Sequence, residues 1–248
     1  MRRTLCFARR NQKEMLRDPI SLFFGILFPI ILLFLLTVID RSLPAEAQMD
    51  LFHAEKLAPG IAVFSLSFIA LFAAMLIAKD RGSSFLLRLY TSPLTGRDFI
   101  LGYLLPLLPM ALVQMLACFS AAMVLGLHFT FYIFLAIAVC LPIAAVNIAI
   151  GMLCGTLLSE KAVGGVCGAL LTNLSAWLSG IWFSLDLIGG AFKTVAYLLP
   201  FANAVDAARA ALAGNYGAIW TNLRVVLLWA LVLLLTAIAV FAKKMKLK

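Results

Sequence analysis

Five stretches of this chain run for the thickness of a bilayer or more without a formally charged side chain. They are 20–39, 58–78, 99–159, 162–185 and 225–242, and only His128 among them could gain a positive charge near neutrality. A helix rises about 1.5 Å per residue and the hydrocarbon core is about 30 Å thick, so roughly 20 apolar residues suffice to cross. A soluble helix of this length would carry charges on its outer face, and these carry none. A mean hydropathy of +1.07 and a charged fraction of 12% agree. The fold class is therefore all-α integral membrane.

The run 99–159 is too long for one crossing. Its weakest point is LGLHF, 125–129, where a glycine and a histidine suit a tight turn. Dividing it there gives two long helices, tilted or kinked at Pro106, Pro109 and Pro142. The sequence thus predicts a single domain over 1–248 with six transmembrane helices, over about 20–39, 58–78, 99–125, 129–158, 163–185 and 222–242. The first run is too long for the core of a cleaved leader and lacks a small-residue cleavage site, so it is expected to remain as a span.

Six spans put both termini on one side, together with fifteen of the twenty lysines and arginines; the opposite side has five. The positive-inside rule then predicts cytoplasmic termini. The formal net charge of +9 is read as topology and contact with anionic lipid, with no nucleic-acid partner implied.

Residues 1–19 precede the first span and predict an interfacial helix. Leu5, Ala8, Met15 and Leu16 form its expected apolar face, with Arg9, Arg10, Lys13 and Arg17 on or beside the other, and Pro19 opens the span. The connection before the last span, DLIGGAFKTVAYLLPFANAVDAARAALAGNY, is too apolar for a free loop. Pro200 divides it into two short interfacial or re-entrant helices. The second aligns Phe201, Val205, Ala208 and Leu212, sets Asp206 and Arg209 three apart as an ion pair, and stops at Gly214.

A polar segment after the second span predicts a short helix over about 81–92, capped by Ser83 or Ser84 and stopped by Pro93. Phe85, Leu86 and Leu89 share one face, Arg81 and Arg88 another. So short a helix is marginal by itself. Either its apolar face docks on another subunit, or Phe85 and Leu86 dip into the leaflet while Arg88 snorkels. On the residues alone, both readings stand.

Within the spans, Gln114, Asn147 and Asn173 place amides near mid-depth, and Ser175, Trp177 and Ser179 make the fifth run both polar and aromatic. These six could line a substrate path. Equally, the amides could bond across helices at about 0.6 kcal/mol each. Gly151 with Gly155, and Gly164 with Gly168, have the spacing that lets helices approach closely, and Trp182 suits an interfacial anchor.

Several functions are disfavoured. No G-x-x-x-x-G-K-[ST] loop is present to cradle nucleotide phosphates. No acid or base lies deep in a span, against an ion-coupled transporter, and no filter-like motif suggests a channel. The five cysteines form no CxxC pair, and His53 and His128 stand apart. No catalytic, cofactor or metal residue is assigned.

Three segments in order resemble the permeases of the ABC type-2 exporter class, particularly its daunorubicin and multidrug-resistance branch. They are RDPISLFFGILFP at 17–29, RLYTSPLTGRDFILGYLL at 88–105 and LLPFANAVDAARAAL at 198–212. The resemblance implies a transport subunit, itself not an enzyme, in a bacterial-type plasma membrane. A separate ATPase would carry ATP and magnesium, and a second permease copy or close relative would complete the unit. It also implies that 81–90 is a coupling helix, with Arg81, Phe85, Leu86, Arg88, Leu89 and Tyr90 facing the ATPase. The turn SEKAV, with Glu160 and Lys161, would be a smaller contact. The implied cargo is a hydrophobic or amphipathic small molecule; the alternatives are a polysaccharide or lipid-linked glycan, or an ATP-independent transporter or scaffold.

Overall fold

The computed structural model describes residues 2–44, 46, 50–83, 85 and 95–246. Every regular element among them is helical. Helix α1, Arg2–Leu16, ends at a short corner where Asp18 accepts from the Ile20 amide at 3.1 Å and the Ser21 hydroxyl at 2.7 Å. Pro19, whose missing amide costs nothing in a first turn, then starts α2, Pro19–Ser42. Its second turn, Phe23–Leu27, is wound wide, with the Phe28 amide reaching back five residues to the Phe23 carbonyl.

Helix α3, Ala54–Gly82, bends at Leu66, where the amide of Leu66 turns to the Val63 carbonyl. Helix α4, Gly96–Val124, opens on a reciprocal cap between Thr95 and Asp98, and α5 is Tyr132–Leu157. Between them Gly126 takes a φ of +113°, so the long apolar run does turn within LGLHF. Ser159 caps α6, 160–178, whose stretch Gly164–Leu171 is again wound wide. Single-turn α7, Leu185–Ile188, precedes α8, Gly190–Leu198, α9, Pro200–Leu212, and α10, Tyr216–Lys246.

Five of these helices are long and apolar enough to cross a membrane: α2, α3, α4, α5 and α10. Helix α6 is shorter than the run 163–185 that its sequence marks out. It stops at Leu178, two residues before Gly180 takes a φ of +69° and leaves the helical region. Helices α8 and α9 form on either side of Pro200, where the sequence predicts a pair.

Helix α3 is the axis of the molecule. In its most apolar window 89% of residues are buried, against 28% in α2 and 22% in α10. It lies against α4, α5, α6 and α9. Its closest approach is to α5, where a Cβ on Gly151 would fall 2.4 Å from the Ala70 carbonyl oxygen and one on Gly155 2.6 Å from that of Ala74. The contacts advance four residues on each helix, so α3 and α5 run in the same direction.

Candidate functional site

At the end of the molecule that holds α1, the centre is a buried carboxylate. Asp80, in the last turn of α3, is 1% exposed. It accepts from the Tyr103 hydroxyl and from Arg10 Nη1, each at 2.9 Å. Burying a carboxylate costs several kcal/mol unless it is paired and hydrogen-bonded, and here α4 and α1 each supply a donor. Arg10 continues to Glu14 at 2.6 Å, and Lys79 approaches Glu14 at 3.5 Å. The Arg10 guanidinium also lies 4.2 Å over the ring of Phe85. Phe7 packs edge-on to Tyr103 and Phe99 and stacks on Phe85 at 6.4 Å.

Helix α1 is thus fastened along its length. The Thr4 hydroxyl donates to Asp98, and Asn11 Nδ2 donates to the Gly102 carbonyl at 2.9 Å. Gly102 is where α1 comes closest, since a Cβ there would lie 2.1 Å from the Phe7 ring. This corrects the face expected from the sequence. Thr4, Phe7, Ala8, Asn11 and Met15 face the protein, whereas Leu5 and Leu16 are 60% and 54% exposed. Hydrogen bonds and aromatic contacts hold the helix, and an apolar side chain beside lipid has no need to turn inward.

The residues named for coupling fare differently. Arg81 is engaged inside the chain, donating through Nη1 to the Gly155 carbonyl at 2.7 Å and the Leu158 carbonyl at 3.2 Å. A cation on the last carbonyls of α5 complements that helix end. Phe85 is half-buried beneath Arg10 and Phe7, and its amide meets the Ser83 hydroxyl at 3.3 Å. Leu86, Arg88, Leu89 and Tyr90 lie outside the described residues, as do Ser84 and Pro93. Glu160 and Lys161 are exposed in the first turn of α6. Glu160 shares a 120 Å³ cavity with Glu14 and Lys79, so the start of α6 and α1 come together.

At the opposite end, Asp206 and Arg209 are near but chiefly serve other partners. Their closest approach is 3.9 Å. Arg209 donates through Nε to the Lys56 carbonyl at 3.1 Å and through Nη2 to the Gly180 carbonyl at 3.2 Å, tying α9 to the start of α3 and the end of α6. Burial pulls its pKa down, with Asp206 opposing. Asp206 accepts from the Tyr197 hydroxyl at 2.7 Å; burial first, and then this bond, push the phenol pKa up. Asn203 Nδ2 closes the α8–α9 corner on the Tyr197 and Leu199 carbonyls.

The six candidate path residues divide. Gln114 is sealed inside, its Nε2 on the Ser65 carbonyl at 2.7 Å, beside the bend in α3. Asn147, also buried, returns its Nδ2 to the Ile143 carbonyl. Ser175 and Ser179 are buried and bond within α6. Only Asn173 and Trp177 are exposed, on a face of α6 shared with Gly165, Ala169 and Leu170. The oxygens Gln114 Oε1, Asn147 Oδ1 and Ser67 Oγ have no hydrogen-bond partner among the described residues.

Asp80 and Arg10 were missed as site residues by reasoning from sequence. Asp80 lies between Lys79 and Arg81 at a span's end and reads there as one more flanking charge. The available signal was an acid alone within a basic flank.

Bilayer-length helices packed around a buried α3, with an amphipathic helix bolted to one end, define a multi-pass helical membrane protein. The family model for ABC-2 type transporters matches residues 3–213, and the chain belongs to that family. It is accordingly a permease component of a membrane transporter. No curated protein matches the chain.

Proposed function

We propose that this chain is the six-span permease subunit of an ATP-driven exporter. It works with a separate ATPase and a second permease copy or close relative in a bacterial-type plasma membrane, with both termini cytoplasmic. Helix α6 is the sixth span, and α8 and α9 lie in the outer leaflet. The observation that carries the reading is the contact at Phe85. This ring stands at the head of the segment 81–92, beneath a guanidinium that also grips the buried Asp80. A push on that segment would pass through Arg10 to α3 and through Phe7 to α4.

Phe85, Leu86, Arg88, Leu89 and Tyr90 would meet the ATPase, with Glu160 and Lys161 as a second contact beside α1; Arg81 would hold the segment's root to α5. The cargo is a hydrophobic or amphipathic small molecule of the kind the drug-resistance branch moves. Asn173 and Trp177 are the path residues left to meet it, because the other four are enclosed within one chain. Pairing through the exposed face of α6 would bring both copies' Asn173 and Trp177 to one seam.

Affinity purification of the tagged chain from its native membranes tests the reading. An ATPase subunit is expected to co-purify, and Phe85→Asp, which sets a carboxylate into the aromatic contact, is expected to reduce its recovery at least about tenfold while the permease still reaches the membrane. An ATPase retained in full on the Phe85→Asp chain would remove the coupling role from this segment.

A further inference from the structure

A cavity of 680 Å³ opens between α1, the Asp18–Pro19 corner and the end of α3. Five cations line it, Arg9, Arg10, Lys13, Arg17 and Lys79, against two acids, Glu14 and Asp18. Both acids are already engaged. Glu14 holds Arg10 and Lys79, and Asp18 caps α2 through the Ile20 amide and the Ser21 hydroxyl. The side chains of Arg9, Lys13 and Arg17 have no hydrogen-bond or ion-pair partner among the described residues. Arg9 and Lys13 are four residues apart on α1, about 6 Å along its axis, and Arg17 extends this stripe from the turn just past the helix end.

We infer that this cavity binds the phosphate of an anionic phospholipid headgroup. Three observations point to that chemistry. The uncommitted charge is all of one sign and concentrated on one rim. The cavity sits at the first turn of a membrane-crossing helix, the depth at which lipid phosphates lie. Exposed apolar side chains flank the stripe, Leu5 and Leu16 on α1 and Ile20 on α2. A free phosphate would use the cations alone, whereas a phospholipid uses both the cations and this apolar margin. The site needs neither the ATPase nor the cargo. It would fix α1 at the interface beside its seam with the end of α3.

The test is native mass spectrometry of the full chain in a neutral detergent, titrated with phosphatidylglycerol and, separately, phosphatidylcholine. Wild type is expected to retain the anionic lipid at least about tenfold better. The variant Arg9→Gln/Lys13→Gln/Arg17→Gln should lose on the order of tenfold or more of that affinity. A control of equal charge, Arg224→Gln/Lys243→Gln/Lys244→Gln, should stay within about twofold of wild type. Equal loss in both variants would mean diffuse surface charge and overturn the site. Displacement of the lipid by millimolar inorganic phosphate would assign the cavity to free phosphate and overturn the lipid reading. The three substituted side chains are exposed, but the assignment does not hang on the variant's folding: a wild type without headgroup preference defeats it directly.

Discussion

Two glycine pairs of identical spacing meet opposite fates in this molecule. Gly151 and Gly155 are pressed onto the backbone of α3, each without room for a Cβ. Gly164 has nothing within 4 Å of where a Cβ would stand, and Gly168 meets only the end of Leu71, at 3.5 Å. The first pair closes a seam inside the chain. The second lies on α6, in a wide-wound stretch beside Asn173 and Trp177, where a face of small side chains is left open. Small-xxx-small spacing states that a close approach is possible. It does not state whether the neighbour is the same chain or another.

The widest difference should appear between leucines placed at the two sites. Gly155→Leu drives a side chain into the Ala74 backbone and is expected to cost about 3 kcal/mol or more, read as loss of folded protein or a collapse of the melting temperature in detergent. A variant that melts like wild type would show that α3 and α5 are not fixed as described. Next comes Gly102→Ala, where the obstacle is the Phe7 ring rather than backbone. The cost is expected at about 1–3 kcal/mol, with α1 becoming the first segment cut in limited proteolysis.

Arg209→Lys sharpens the contrast from the other end of the molecule. Lysine has no planar fork to serve the Lys56 and Gly180 carbonyls together, so about 1–2 kcal/mol of stability should be lost. The smallest effect on the single chain belongs to Gly164→Leu, within about 0.5 kcal/mol of wild type. Where α6 meets a second copy, the same change should lower the dimer fraction in cross-linking while leaving the melting temperature of the monomer in place. Destabilisation of the monomer comparable to that of Gly155→Leu would erase the distinction between the pairs.

Much of this architecture was open to reading because a bilayer imposes one strict rule: charges stay out of the crossing segments. The uncharged runs follow from it, while the turn at LGLHF was marked by its glycine and histidine and the helix pair by Pro200. What the rule does not cover was harder to see. Leu5 and Leu16 look like the buried face of α1, yet apolarity does not distinguish lipid from protein as a neighbour. Thr4 and Asn11 face the protein because particular carbonyl and carboxylate oxygens await them, which no periodicity reveals. Asp206 and Arg209 have the spacing of an ion pair, but Tyr197 and the two carbonyls taken by Arg209 are brought close only by the tertiary fold. Asp80 is the sharpest case, since its partners come from positions 70 residues before it and 23 after.

The wide turns in α2 and α6 have a consequence of their own. A turn of this kind accommodates a surplus residue without altering the bearing of the helix beyond it. Phe23–Leu27 and Gly164–Leu171 therefore act like dislocations in a crystal rod, places where length is stored. Removing one residue there would tighten the winding and keep the downstream face aimed as before. The same deletion in the regular part of α5 would swing everything past it by about 100°.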